Sequence, residues 1–326
     1  MANSINLEKL PATVTDYIWA DYLELLCLFN IDGQVTLSEL LDRIIDRREI
    51  ESVTKDLLGW NNKSRGEMSD ILEQKSISWI GQIKFREKKF KDHYPFTLTR
   101  DSKLLQIKSS DIRRVNKYFP YLYLLICSNL RYFRGSIQKL TNYFELISKE
   151  ALNTYLNGKA EVEIFGSNPL STGRFSEGNI YTKIKKLADS LDGRVWADED
   201  HFSKYSSGDK GLDIVAWLPF KDRSDGKLIV FGQSACTEEW IDKQHSSSLL
   251  AWMDIINTKA KHVNAVFIPF DYRNSDGDWH DITEIHNSIL FDRWRLLSLI
   301  DSKSDLVEKI YSSQLKTILE KRESLF

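Results

Sequence analysis

The 326-residue chain has little of what usually constrains a fold from outside. Its three cysteines, Cys27, Cys127 and Cys236, are scattered and form no C-x-x-C pair. Neither a disulfide framework nor a cysteine-based zinc site is expected, and a reducing, cytoplasmic compartment is the default. Six prolines and fifteen glycines leave little room for long linkers. Charge of one sign is missing too. The 45 Lys+Arg against 47 Asp+Glu leave a net −2, which excludes a histone-like basic protein and an acidic solvating tail. The longest apolar run, residues 121–127, is far short of the roughly 20 residues of a membrane span, so no membrane partner is expected. The first residues place no basic stretch ahead of an apolar one, so no secretory leader is expected. No G-x-x-x-x-G-K-[ST], strand-linked G-x-G-x-x-G, G-x-S-x-G or H-E-x-x-H occurs, which removes support for P-loop, dinucleotide, serine-hydrolase and zinc-hydrolase chemistry.

What is present is ordinary globular material. Hydrophobic residues are 42%, charged residues 28% and aromatics 12%, with nine tryptophans, which argues for well-filled cores. Length suggests two domains. Residues 1–156 read as helical. Apolar spacing predicts helices over 17–29, 71–90, 118–133 and 137–156, and Thr36 with Glu39 forms a capping box for a helix through Ile45. The segment 28–39 has the outline of a calcium loop, but Leu28 stands where the first carboxylate belongs, so a helix–turn–helix packing unit is expected. From residue 157 the pattern changes. Strands are expected at 161–165, 194–197, 212–218, 227–233 and 263–269. Helices are expected at 176–191, 238–257, 282–300 and 304–321. The turn-rich acidic stretch 271–281 reads as a surface loop. The fold class is therefore α + α/β: a helical N-terminal domain, 1–156, then an α/β domain, 157–326, with a mixed central sheet and C-terminal helices.

Charge is uneven. Residues 1–150 carry 23 basic and 20 acidic side chains and the remainder 22 and 27. The window 84–117 holds 11 basic and 4 acidic side chains, including Lys84, Arg86, Lys88, Lys89, Lys91, Arg113, Arg114 and Lys117. Each single Lys here fits a solvated helix face. Together, interleaved with Phe85, Phe90, Tyr94 and Phe96, they form a candidate phosphate-contacting patch, with Lys88, Lys89, Arg113 and Arg114 as its nucleic-acid contacts.

The most informative stretch is 207–240, SGDKGLDIVAWLPFKDRSDGKLIVFGQSACTEEW. Asp213 opens one apolar strand and Gln233 ends the next. Two neighbouring strands that each present an oxygen at one end can hold a hard divalent cation. Taken singly, Asp213 fits a strand cap, Gln233 an edge-satisfying amide, and Glu177 a first-turn acid of a helix.

The stretch resembles the PD-(D/E)xK nuclease superfamily, the restriction-endonuclease-like fold, in its Mrr-type form, where a G-D-x-G-x-D strand is followed by a Q-x-K strand. The resemblance covers roughly residues 160–270. It implies a metal site of Glu177, Asp213 and Gln233 for Mg2+ or Mn2+, DNA as substrate, and a role as an effector of bacterial anti-phage or restriction systems with a partner protein or a homo-oligomer. The family Lys is replaced by Ala235, and position 231, often an acid, is Phe231. Lys243 is the leading replacement and Lys210 the second, while Glu238 or Glu239 could supply a missing acid. Three readings follow. One is an Mg-dependent endodeoxyribonuclease with Glu177, Asp213, Gln233 and Lys243 as its catalytic set. Another is an inactive nuclease-fold subunit that binds DNA or a partner. The third is a protein-interaction module docking through residues 121–126.

Overall fold

The structure, a computed structural model, describes residues 4–46, 59, 63–109, 112, 115–135, 137–202, 210–220, 222 and 224–321. The chain divides into two units. One comprises residues 1–137, 270–280 and 302–326, and the other residues 138–269 and 281–301. The division thus falls ahead of the expected seam at residue 157, and two later stretches return to the first unit.

In the first unit, α1 (Asp16–Phe29) is buried from Tyr17 to Phe29, on every side rather than along one stripe. Such a helix is a core helix, and Trp19 stacks on Trp79 at 4.5 Å between centroids and 6° between planes. After a turn at Gly33, Thr36 and Glu39 make the predicted reciprocal cap of α2 (Leu37–Asp46): Thr36 N donates to Glu39 Oε2 at 2.7 Å and Glu39 N to Thr36 Oγ1 at 3.1 Å. The Glu39 carboxylate is thereby spent on a helix start. A second capping box, Ser64 with Glu67, opens α3 (Arg65–Phe90).

The first unit is not purely helical. Strands β1 (Ser4–Ile5) and β5 (Phe133–Arg134) pair antiparallel. Strands β2 (Gln34–Thr36), β3 (Phe96–Leu98) and β4 (Leu104–Ile107) form a sheet in the order β2-β4-β3, with Val35 opposite Leu105. These runs of three or four residues carry too little periodicity to register in the sequence. The expected helix over 118–133 stops as α4 (Phe119–Cys127). There Ser128 Oγ and Asn129 Nδ2 donate to the Leu125 carbonyl at 3.0 and 2.8 Å, competing with the helical ladder. The closing stretch runs Asp305–Ile310, Tyr311–Leu315 and Lys316–Leu319, and Tyr311 stacks on Phe119. Cys27, Cys127 and Cys236 are free and buried. No helix of the described residues is long and apolar enough to cross a membrane.

Arg86 corrects two expectations. It belongs to the basic window, yet it is fully buried. Its Nη1 lies 2.8 Å from both Asp21 Oδ1 and Glu24 Oε1, its Nε donates to Asp271 Oδ2 at 3.0 Å, and its Nη2 donates to the Tyr17 carbonyl at 3.0 Å. Burial opposes the guanidinium charge, and Glu24 and Asp21 more than restore it, so its pKa stands well above the ordinary value. Tyr94 and Tyr121 donate to Glu24 at 2.8 and 2.7 Å. Asp271 and Tyr272 are fully buried, so the stretch expected as a surface loop begins as part of this core.

The second unit is built on one five-stranded mixed sheet, whose strands lie in the order Ser288–Phe291, Val263–Phe267, Leu228–Ser234, Ile214–Leu218, Glu161–Ile164. After α5 (Ile137–Tyr155) come β6 (Glu161–Ile164), α6 (Ile180–Ser190), β7 (Arg194–Val195), β8 (Ile214–Leu218) and β9 (Leu228–Ser234). They are followed by β10 (Ile256–Asn257), β11 (Val263–Phe267) and β12 (Ser288–Phe291). Strands β6, β8 and β9 form an antiparallel run, while β11 is parallel to β9 and β12 to β11. Strand β7 stands apart and pairs with β10. Strand β12 lies inside the expected 282–300 helix, because a four-residue apolar run fits either period. The expected helix over 238–257 breaks into Trp240–Lys243 and Leu249–Trp252, since Ser248 caps a fresh start by accepting from Ala251 N. One sheet face packs Val215, Trp217, Ile229 and Phe231 against Ile180, Ile184, Leu187 and Leu191.

Replacing Arg86 with Met leaves three carboxylates in the core without their counter-charge. Arg86→Met is expected to lower stability by about 3–5 kcal/mol in urea unfolding, whereas Lys88→Met on the exposed face of α3 stays within about 0.5 kcal/mol.

Candidate functional site

Strands alternate their side chains, so the register of β8 against β9 decides what meets at the sheet edge. Ile214 pairs with Gly232 and Val215 with Phe231. Asp213, one residue ahead of β8, therefore stands beside Gln233 on the face that carries Val215 and Phe231. Both are buried, at 7% and 8% exposure. Gln233 Nε2 donates to Asp213 Oδ2 at 2.7 Å, and the Ser234 backbone N donates to the same oxygen at 2.7 Å. The amide orientation is fixed by that donation, since only an N–H can approach the carboxylate oxygen. Its other end, Gln233 Oε1, is buried and has no hydrogen-bond partner among the described residues. An orphaned acceptor of this kind is uncommon and points to a missing donor or cation.

Gly211 sets the approach to that oxygen. Its φ is +74°, a conformation that favours glycine, and a Cβ there would overlap Ser246 Cβ and lie 3.4 Å from Gln233 Oε1. The bend before Asp213 thus brings bare backbone against the orphaned acceptor.

Helix α6 covers this face. Its far end lies over the start of β9, where Lys227 Nζ donates to the Ser190 carbonyl at 3.4 Å and pairs with Asp192. Its first turns therefore lie over the opposite end of the sheet, where Asp213 and Gln233 stand. Lys183 sits there, fully buried, and its Nζ donates to Ser167 Oγ at 3.0 Å. Ser167 follows Phe165, whose backbone N donates to the Asp213 carbonyl at 2.8 Å. The next residue, Asn168, donates through Nδ2 to Glu145 Oε2 of α5 at 2.8 Å, so a carboxylate of α5 reaches the same rim. On the same face His262 stacks on Phe231 at 4.1 Å, with Nε2 3.0 Å from the Ser247 carbonyl. Burial lowers its pKa from the ordinary value against the raising effect of its backbone hydrogen bonds, which favours the neutral imidazole.

Of the predicted set, the structure brings Asp213 and Gln233 together. Glu177 lies ahead of α6 and is exposed. Its backbone carbonyl accepts from Lys186 Nζ at 3.5 Å, and its carboxylate has no hydrogen bond to Asp213 or Gln233. Lys243 is turned to its own corner, with Nζ 2.9 Å from Thr237 Oγ1 and 3.9 Å from Glu239 Oε2. Lys210 Nζ lies 5.2 Å from the Phe202 ring centre. Ala235 is buried next to the strand end. Among the described residues no group of three or more His, Cys, Asp or Glu could hold a metal ion.

Sequence reasoning misses Lys183 and Glu145. Lys183 has a readable signal: it falls three residues after Ile180 and four before Leu187, on the apolar stripe of α6, where a lysine is out of place. Glu145 has none, because its partner Asn168 is distant in sequence. The basic patch is thinner than expected. Lys88 and Lys89 are exposed in the last turn of α3, where cations also suit the helix dipole. Arg86, Phe90, Tyr94 and Phe96 are core, and Arg113 and Arg114 lie outside the described residues. The apolar segment 121–126 is buried within α4, which removes it as a docking helix.

Compared with known proteins, the chain matches no family model, no curated sequence and no solved structure.

Gly211→Ala is expected to lower the thermal unfolding midpoint. A partial recovery in the Gly211→Ala/Ser246→Gly double variant would isolate a backbone cost of about 1–2 kcal/mol at the left-handed φ.

Proposed function

We propose that the chain is a divalent-metal-dependent endonuclease that hydrolyses DNA phosphodiesters at the Asp213–Gln233 end of its second unit, as an effector of a bacterial anti-phage or restriction system. The observation that carries this reading is the pair itself: a buried carboxylate and a buried amide from adjacent strands, 2.7 Å apart, with Gln233 Oε1 unsatisfied among the described residues. The sheet supports it. An antiparallel β6-β8-β9 meander followed by β11 parallel to β9 is compatible with the restriction-endonuclease-like core implied by the sequence resemblance. The site also stands beside the carboxyl ends of β9 and β11, the side on which open sheets with parallel strands collect ligands.

The donor set fits Mg2+ or Mn2+ as a water-rich ion. Magnesium is commonly held by one or two carboxylates and keeps several waters, so it needs no protein cage. Asp213 and Gln233 Oε1 would hold it, with water filling the remaining positions. Such an ion lowers the pKa of its bound water and draws charge from a phosphoryl oxygen. In the net reaction water adds to phosphorus, one P–O ester bond breaks, and the departing oxygen takes up a proton. This chain's own contribution is orientation: Ser234 N and Gln233 Nε2 hold Asp213 Oδ2, which aims the rest of the carboxylate. Asp213→Asn and Asp213→Ala should each reduce magnesium-dependent plasmid cleavage by more than about 100-fold while the protein stays folded by circular dichroism. Cleavage at the wild-type rate in either variant would remove this site.

A second reading is favoured by one observation. Ala235 stands at the family lysine position, and Lys243 spends its ammonium on Thr237 and Glu239. The chain would then be an inactive nuclease-fold subunit that binds DNA or a partner. On that reading no divalent ion elicits cleavage. Lys88→Gln/Lys89→Gln weakens DNA binding across sequences and lowers the salt slope of log K by about 0.9 for each phosphate no longer neutralised.

A further inference from the structure

We propose that the groove between α2, α3 and the start of β4 in the first unit is a docking site for an amphipathic helix of a partner protein, one with an apolar stripe and a basic flank. The groove has a volume of about 870 Å³. Its apolar lining is Leu37 and Leu41 of α2, Ile77 of α3 and Leu104 of β4, and the carboxylates of Asp70 and Glu73 belong to the α3 side. All these residues lie in the first unit. The inference stands apart from the nuclease reading and needs neither metal nor DNA.

The sequence of α2 makes more apolar surface than the core uses. Leu40 and Ile44, four residues apart, are fully buried. Leu37 and Leu41, also four apart, are only half-buried and line the groove instead. Helix α3 repeats the pattern. Leu72, Ser76 and Trp79 are buried, while Asp70, Glu73 and Ile77 are exposed at spacings of i, i+3 and i+7, a stripe about 10 Å long. Ile77 is 73% exposed. A large aliphatic side chain held open at an apolar groove suits a protein partner, since a small-molecule site encloses most of its ligand. Two helices flanking an apolar trough are the surface on which a third, amphipathic helix packs.

The groove is built on fixed backbone. Thr36 of β2 pairs with Leu104 of β4, and Leu37 N donates to the Lys103 carbonyl at 2.9 Å. The Thr36–Glu39 box then holds the first turn of α2. Leu37 and Leu104 are thus presented without further ordering, which lowers the cost of binding. Charge selects the occupant. Among the described residues neither Asp70 nor Glu73 is held in an ion pair. Lys103, just ahead of β4, also lines the groove. A helix lying there meets carboxylates along α3 and an ammonium by β4, so its α3-facing flank is basic.

The test uses the full chain and two synthetic peptides of about 18 residues, long enough to form a helix. Both carry leucines at i, i+4 and i+7. One has lysines along one flank of that stripe, and the other has glutamates in their place. Binding is read by fluorescence anisotropy at about 0.15 M salt, where distant charges are screened. The lysine peptide is expected to bind with a Kd of roughly micromolar order and the glutamate peptide at least about 10-fold more weakly. Ile77→Ser should weaken the lysine peptide by at least about 10-fold. Asp70→Lys/Glu73→Lys should reverse the preference between the two peptides. Leu250→Ser, at a leucine of the second unit that is 81% exposed, is the control and should bind as wild type does. Because Ile77 is exposed, Ile77→Ser should leave the thermal unfolding midpoint within about 2 °C of wild type. Four results would each overturn the proposal: no binding of the lysine peptide, equal binding of both peptides, unchanged binding in Ile77→Ser, or no reversal in the double variant. Two more would assign the groove to another occupant and overturn it as well. A wild-type dimer in sedimentation that Ile77→Ser dissociates would give the groove to a second copy. A fall of more than about 5 °C in the midpoint of Ile77→Ser would show that the chain itself fills it.

Discussion

Ile214 faces Gly232 in an antiparallel ladder, and the polar end of the second unit follows from that register. Side chains alternate with a period of two, so a slip of one residue would send Asp213 to one face and Gln233 to the other. In the observed register the carboxylate, the amide and the backbone N of Ser234 close on a single oxygen, Asp213 Oδ2. That oxygen is then fully committed, and the amide is pinned so that Oε1 faces the Gly211 bend. The pair is therefore pre-organised by backbone pairing rather than by a flexible loop.

The two units bury charge in contrasting ways. Arg86 is surrounded by Asp21, Glu24 and Asp271 and by two phenols that donate to Glu24. Its planar fork allows several partners at once, so the cluster ties α1, α3 and the 270–280 stretch into one core. Lys183 presents a compact ammonium, one of whose contacts is the Ser167 hydroxyl. The Arg86 arrangement is a structural one, joining three stretches of chain through a single guanidinium.

The same contrast explains how a basic stretch can be misread. The window 84–117 has a net excess of cations, but Arg86 turns inward and Phe90, Tyr94 and Phe96 pack in the core. The aromatic residues are spaced for burial, not for stacking on bases. Conversely, the acidic run after Phe270 reads as solvent-facing because it is rich in turn residues, yet Asp271 is the inward partner of Arg86.

Local signals were legible wherever they were strong. The Thr36–Glu39 box, the apolar α1, the β8–β9 hairpin and the candidate pair Asp213 and Gln233 could all be read from spacing, since caps, periodicity and strand order act over a few residues. The sequence alone determined that Asp213 opens one strand and Gln233 closes the next, and that position 235 lacks a lysine. Only the tertiary structure decided that Lys183 is buried against the sheet, that Arg86 belongs to the core, and that residues 270–280 belong to the first unit. These are pairings between residues far apart in the chain. Which helix face meets which sheet face, and which charge finds which partner, is set by packing and desolvation over the whole unit, and no short window of sequence carries that information.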